Sequence, residues 1–126
     1  MFKPEIHYSD DTIAVVFQQD CRKSRKLQVE CVLDFNGMGD VIGIEILNLK
    51  LQAGRDCLRS MDAAVNSLAD DLEFSYDDST DSFYLRLSPD RSLDQAAVLG
   101  TLELNVAGEI VALSASVLYK NDSNSK

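Results

Sequence analysis

Tryptophan is absent from this chain of 126 residues, histidine occurs once and proline twice, and only three cysteines are present. Each scarcity excludes something. With His7 as the sole histidine, no histidine-rich metal site can form, and no Ser–His–Asp arrangement is evident. Cys21, Cys31 and Cys57 show no C-x-x-C spacing, which argues against a zinc knuckle or a thioredoxin-like couple. No P-loop or dinucleotide fingerprint occurs. Apolar runs last only a few residues, too short for a bilayer span. The opening Met1-Phe2-Lys3-Pro4-Glu5 does not resemble a signal peptide, so an odd set of cysteines reads as reduced thiols in a cytoplasmic protein. Positive charge is scarce too. Twelve basic residues against 21 acidic ones leave a net charge of −9, which repels phosphate backbones and makes nucleic acid an unlikely partner.

What remains is an ordinary globular composition, 45% hydrophobic and 26% charged, long enough for one core. Internal similarity organises it. Residues 5–50 and 73–120 can be overlaid, with Glu5-Ile6-His7-Tyr8 on Glu73-Phe74-Ser75-Tyr76. Ile13 to Phe17 then falls on Phe83 to Leu87, with two extra residues in the second copy. Leu33, Asn36, Gly39, Val41 and Ile42 face Leu102, Asn105, Gly108, Ile110 and Val111.

Each copy has the alternation of strands. Leu27, Val29, Cys31, Leu33 and Phe35 point one way and Gln28, Glu30, Asp34 and Asn36 the other, with Val32 the exception. Asn36-Gly37 with Gly39 predicts a hairpin turn into Val41–Leu47. The second copy repeats this as Val98–Val106, a turn through Ala107-Gly108-Glu109, then Ile110–Tyr119. Shorter strands near 4–8, 12–18, 73–76 and 83–88 complete about four strands per copy. Cys57, Leu58, Met61, Ala64, Val65 and Leu68 share one helical face, predicting a linker helix at about 54–70. The expected fold is α+β and mainly β: two antiparallel β-meander repeats with pseudo-two-fold symmetry, joined by one amphipathic helix. Repeat one spans 4–50, repeat two 73–120, and a polar tail 121–126, all within a single domain.

Tyr76-Asp77 followed by Asp81-Ser82-Phe83-Tyr84-Leu85-Arg86-Leu87 resembles the opening of the domain of unknown function 2283 family. Asn36 to Asp40 with Val41-Ile42-Gly43-Ile44-Glu45-Ile46-Leu47 is similar to that family's closing hairpin. The resemblance implies tandem, diverged copies of a compact, strand-rich module without an assigned activity. The first copy has a shortened opening, Tyr8 to Ile13. The second has Ala112 to Ser116 where the first has Gly43 to Leu47.

Candidate functional residues are few. Glu45 stands in an otherwise apolar strand, where a carboxylate needs a partner such as Arg86 or Lys26, or a functional role as an acid. His7 is a rim histidine or a proton-transfer group. Arg22, Lys23, Arg25 and Lys26 form a basic turn; without it, 8 basic residues face 21 acidic ones, or −13. That turn is a solvated hairpin tip or an anion contact. Cys31 and Cys57 read as core filler, and Cys21 as a loop thiol beside the basic turn. Asp77, Ser79 and Asp81 have the first spacings of a calcium loop, but Ser82 and Ser88 replace its glycine and glutamate.

No catalytic, cofactor or metal residue set is expected. The leading expectation is a non-catalytic, acidic protein-interaction module, a regulator or antitoxin-like neutraliser of a basic partner protein. The alternative is a small-ligand binder or enzyme using a groove between the repeats. Homo-oligomerisation through sheet edges stays open.

Overall fold

The computed structural model describes residues 5–9, 11–18, 23–59, 68–69 and 72–116. They form nine strands and one short helix in one antiparallel sheet. The strands are β1 (Glu5–Tyr8), β2 (Thr12–Val16), β3 (Lys23–Phe35), β4 (Val41–Ile46), β5 (Leu68–Ala69), β6 (Leu72–Asp77), β7 (Ser82–Arg86), β8 (Asp94–Asn105) and β9 (Ile110–Ser116), with α1 at Leu49–Ala53. The spatial order is β1-β2-β9-β8-β3-β4-β7-β6-β5.

The sheet is built around its two longest strands. β3 pairs with β8 from Lys23↔Asn105 to Phe35↔Asp94. Val29, Cys31, Leu33 and Phe35 of β3 are buried, as their alternation requires, together with Leu102 and Leu104 of β8. The strands curl into a half-barrel whose distant limbs approach each other. Phe17, just beyond β2, lies 5.8 Å from the ring of Phe74 on β6 and 6.5 Å from that of Phe83 on β7. Curvature lets one apolar cluster fill the concave side from Ile13 to Leu113. Bulges fall at Asp34/Phe35 in β3 and at Glu103/Leu104 in β8.

Both long hairpins turn by the same chemistry. Asn36 Oδ1 accepts the N–H groups of Met38 (2.9 Å) and Asp40 (3.0 Å), and Gly39 takes φ +86°. Asn105 Oδ1 accepts those of Ala107 (2.9 Å) and Glu109 (3.0 Å), and Gly108 takes φ +82°. An asparagine side chain that mimics a backbone acceptor, followed by a residue free to adopt positive φ, closes each turn.

Two expectations need correction. The strands do not form separate meanders. β1–β2, β3–β4, β6–β7 and β8–β9 are hairpins, but β2 pairs with β9 and β4 with β7. Alternation dictates which face of a strand is buried, not which neighbour satisfies its backbone, so the halves interleave. Of the stretch 54–70, residues 55–58 are turn and Leu68–Ala69 is strand, while 60–67 and 70, where most of the expected linker helix falls, lie outside the described residues; α1 precedes this stretch. At the start of α1 the Asp81 carboxylate accepts from Lys50 N (2.8 Å) and Leu51 N (3.0 Å). Gly54, at φ +99°, ends the helix. Finally, the basic run is not a hairpin tip, because β3 begins at Lys23 and Lys23 to Lys26 pair with β8 across a bulge. Arg22, Cys21, residues 117–119 and the tail lie outside the described residues. Among the described residues, no helix is long and apolar enough to cross a membrane.

Candidate functional site

The β1–β2 turn, the β3–β4 turn and the β7–β8 loop converge around a groove of about 420 Å³. Phe35 and Ile42 are buried beneath it, Val41 is half-buried, and Tyr8, Asp40 and Asp90 edge it. The Asn36 side chain organises this region. While its oxygen closes the turn, its Nδ2 donates to Asp90 Oδ2 at 2.9 Å and reaches Asp40 Oδ2 at 3.5 Å. Leu93 N donates to Phe35 O at 2.8 Å, and the Arg86 side chain donates to the carbonyls of Ser88 and Pro89, so the β7–β8 loop is held from both ends. Partial burial and then the charge of Asp40 raise the pKa of the Tyr8 hydroxyl. Tyr8, 64% exposed, supplies apolar surface at the groove, while Met38 on the β3–β4 turn and Leu93 beside Gly37 are exposed outside its lining.

The β8–β9 turn is covered by the chain itself. Ile110 N donates to Cys57 O at 2.9 Å, and Arg59 Nε lies 3.2 Å from Glu109 Oε2. Asn105 Nδ2 donates to the other Glu109 oxygen at 3.1 Å. That bond, with the Arg59 interaction, outweighs desolvation and lowers the Glu109 pKa. Tyr76 donates to Asp81 Oδ1 at 2.6 Å, and Lys50 Nζ lies 4.7 Å from its ring centroid. Burial, then the bond to Asp81, pushes its hydroxyl pKa up. Cys57 and Leu58 are buried against this end of the core, and burial raises the Cys57 thiol to about 11.

The residues singled out in the sequence are not brought to one place. His7 is exposed on the end strand β1, its Nε2 3.3 Å from Glu5 Oε1. Glu45 is half-buried on β4, opposite Val32 and Tyr84. Arg86, anticipated as its partner, is directed to the loop carbonyls instead. Lys26 is exposed opposite Glu103, and Arg25 is exposed beside a shallow depression at the β8–β9 turn. Lys23 is placed on β3 by its backbone. Cys31 is in the core, its thiol raised to about 11 by burial.

The acidic β6–β7 turn satisfies itself. Asp77 Oδ1 accepts from Ser79 N (2.9 Å) and Ser79 Oγ (2.7 Å), while Asp81 turns to α1 and Tyr76. Among the described residues, no group of three or more His, Cys, Asp or Glu is placed to hold a metal ion.

Several residues that matter here escaped the sequence reading. Asp34, 6% exposed, accepts from Tyr84 Oη at 2.8 Å and Gln95 Nε2 at 2.7 Å, and Tyr84 is raised to about 12 by burial and this carboxylate. Asp34 breaks no alternation, so periodicity gave no sign of its burial. Asp40 did leave a trace: an acid follows the second-turn glycine in both hairpins, Gly39-Asp40 and Gly108-Glu109. Compared with protein-family models, curated proteins and solved structures, the chain has no significant match.

Proposed function

We propose that the chain is two diverged copies of one four-stranded unit of the domain of unknown function 2283 type, fused into a pseudo-two-fold domain that serves as a non-catalytic interaction module for a basic protein. The strand pairing supports the duplication. Exchanging β1 to β4 with β6 to β9 reverses the order of the eight strands and leaves it otherwise unchanged. Registers follow: Tyr8↔Ile13 and Ile6↔Val15 in β1–β2 correspond to Tyr76↔Phe83 and Phe74↔Leu85 in β6–β7. The two bulges fall on overlaid positions, and so do the two capping asparagines. On this reading Glu30↔Leu99, a pair in the middle of the β3–β8 ladder, sits at the pseudo-axis. A self-complementary strand order is what a homodimer leaves behind when its two chains are joined.

The observation that carries the partner reading is the groove at Asp40. It combines the accessible carboxylates of Asp40 and Asp90 with exposed Tyr8 and half-buried Val41, in a chain of net charge −9. Carboxylates steer a basic surface into place and the apolar side chains hold it once docked. A regulator or antitoxin-like neutraliser of a basic protein works through such a face. The groove also draws Ser88 and Asp90 from the second copy, so a small ligand lodged between the copies is the competing use.

Affinity capture from the native source tests this. A basic protein should be retained at low salt and lost as ionic strength rises, and Asp40→Asn with Asp90→Asn should reduce its retention. Capture that returns no protein, or a partner indifferent to salt and to both substitutions, refutes the module.

A further inference from the structure

We infer that the Asp40 groove receives a short, turn-forming segment of a partner protein in which two apolar residues are followed by an arginine. The inference rests on the duplicated-unit reading and takes it further. If the halves are copies, the groove has an internal counterpart, and that counterpart is filled. Val41 corresponds to Ile110, whose N–H donates to Cys57 O at 2.9 Å. Asp40 corresponds to Glu109, whose carboxylate meets Arg59 Nε at 3.2 Å. Tyr8 corresponds to Tyr76, which is half-buried where Tyr8 is 64% exposed. The covering segment places Cys57 and Leu58 in the core and sends Arg59 to the rim carboxylate.

The open groove keeps the same three elements. It has a turn-closing asparagine, a carboxylate on the residue after the positive-φ glycine, and an apolar floor. Its rim is the more acidic of the two, since Asn36 ties Asp90 beside Asp40. Of the basic residues of α1 and the turn after it, Lys50 lies over the Tyr76 ring and Arg59 is committed to Glu109 and Asp56. Charge complementarity therefore selects a cationic residue. The counterpart supplies the rest: a carbonyl for the strand's first N–H and apolar side chains to pack on half-buried Val41. Arginine fits better than lysine, because its guanidinium can lie across a carboxylate while its stem covers apolar surface.

The probe is the chain's own covering sequence as a capped hexapeptide, Gly-Arg-Asp-Ala-Leu-Arg, which is residues 54–59 with alanine in place of Cys57. Amide shifts of the isotopically labelled full-length chain, recorded during titration, should move at Tyr8, Asp40 and Val41 and not at Glu109 or Ile110. Asp40→Asn should weaken binding about tenfold, as loss of a charge-assisted hydrogen bond does. A peptide with glutamine for the final arginine should lose a similar factor against the native chain and almost none against Asp40→Asn. Circular dichroism of the variant establishes that it is folded, and Asp90→Asn provides a second rim variant.

Absence of shifts at millimolar peptide, or shifts elsewhere, overturns the inference. If capture nevertheless returns a salt-sensitive basic protein, the module reading stands while the groove assignment falls. Binding that emerges only when Leu118→Ala and Tyr119→Ala are introduced assigns the groove to the chain's own C-terminal residues. Concentration-dependent self-association abolished by Asp40→Asn assigns it to a second copy. Either result also overturns the inference.

Discussion

The carboxylate of Asp81 closes the N-terminus of α1 from 30 residues downstream, its Oδ1 2.8 Å from Lys50 N and its Oδ2 3.0 Å from Leu51 N. The Asp81 carbonyl accepts from Leu49 N at 2.9 Å as well. Asn48, the residue before the helix, makes no side-chain cap. A five-residue helix is not stable alone, so this remote cap and the burial of Leu49 and Ala53 hold it.

Acid should therefore loosen this junction. Burial opposes ionisation of Asp81, but the hydrogen bonds from Tyr76, Lys50 N and Leu51 N outweigh it and hold its pKa below the ordinary carboxylate value. The unfolded chain then binds more protons than the folded one as pH falls. The stabilisation is complete above the unfolded value of about 4 and is lost as pH drops through the lower folded value. Urea midpoints measured from pH 6 to pH 2 should fall less steeply for Asp81→Asn than for the native chain. Asp81→Ala should cost about 1–2 kcal/mol near neutrality through the lost cap. It adds strain, since residue 81 sits at φ +54°.

Tyr84 and Gly43 form a second coupled pair. A methyl group at Gly43 would collide with the Tyr84 hydroxyl and stand 3.2 Å from Asp34 Oδ2. Tyr84→Phe should destabilise by about 1–2 kcal/mol, because it removes one of two donors from the buried Asp34. Gly43→Ala should cost about 2–3 kcal/mol in the native background and clearly less beside Tyr84→Phe, where the colliding oxygen is gone. Chemical denaturation of the three variants checks the coupling. Additive losses would show that the two sites act independently.

The core thiols should be inert. Burial raises Cys31 and Cys57 to about 11, so almost no thiolate is present at neutral pH. In a Cys21→Ser background, a disulfide reagent should modify both at least about 100-fold more slowly in native buffer than in denaturant. Fast modification of either thiol in the folded chain would contradict its burial.

The reading of strands from sequence succeeded where side chains alternate. Leu27 to Phe35 announces a half-buried strand, and Asn36 to Gly39 announces its turn, because those signals are local and hold whatever lies alongside. The same signals predicted the second hairpin. Over residues 54–59 they marked burial without giving its form, since Cys57 and Leu58 are buried as their spacing suggests but on a turn. Apolar periodicity over a few residues records burial, and a helix is only one way to achieve it. The basic run was misplaced for a related reason: charges mark a solvent-facing edge, yet β3 carries Lys23, Arg25 and Lys26 because its long partner β8 continues the ladder.

By itself the sequence determined the β-rich class, the two asparagine-closed hairpins, the inward faces of β3 and β8 and the acidic balance. Those follow from period-two patterning, turn chemistry and charge, which act within a few residues or as a sum over the chain. Only the tertiary structure decided that β2 joins β9 and β4 joins β7, that Asp81 caps a helix it never adjoins, and that Arg59 reaches Glu109 while Asp40 faces an open groove. Backbone donors and acceptors are alike on every strand, so partner choice is settled by how the curved sheet fills its interior. That is a property of the whole chain at once.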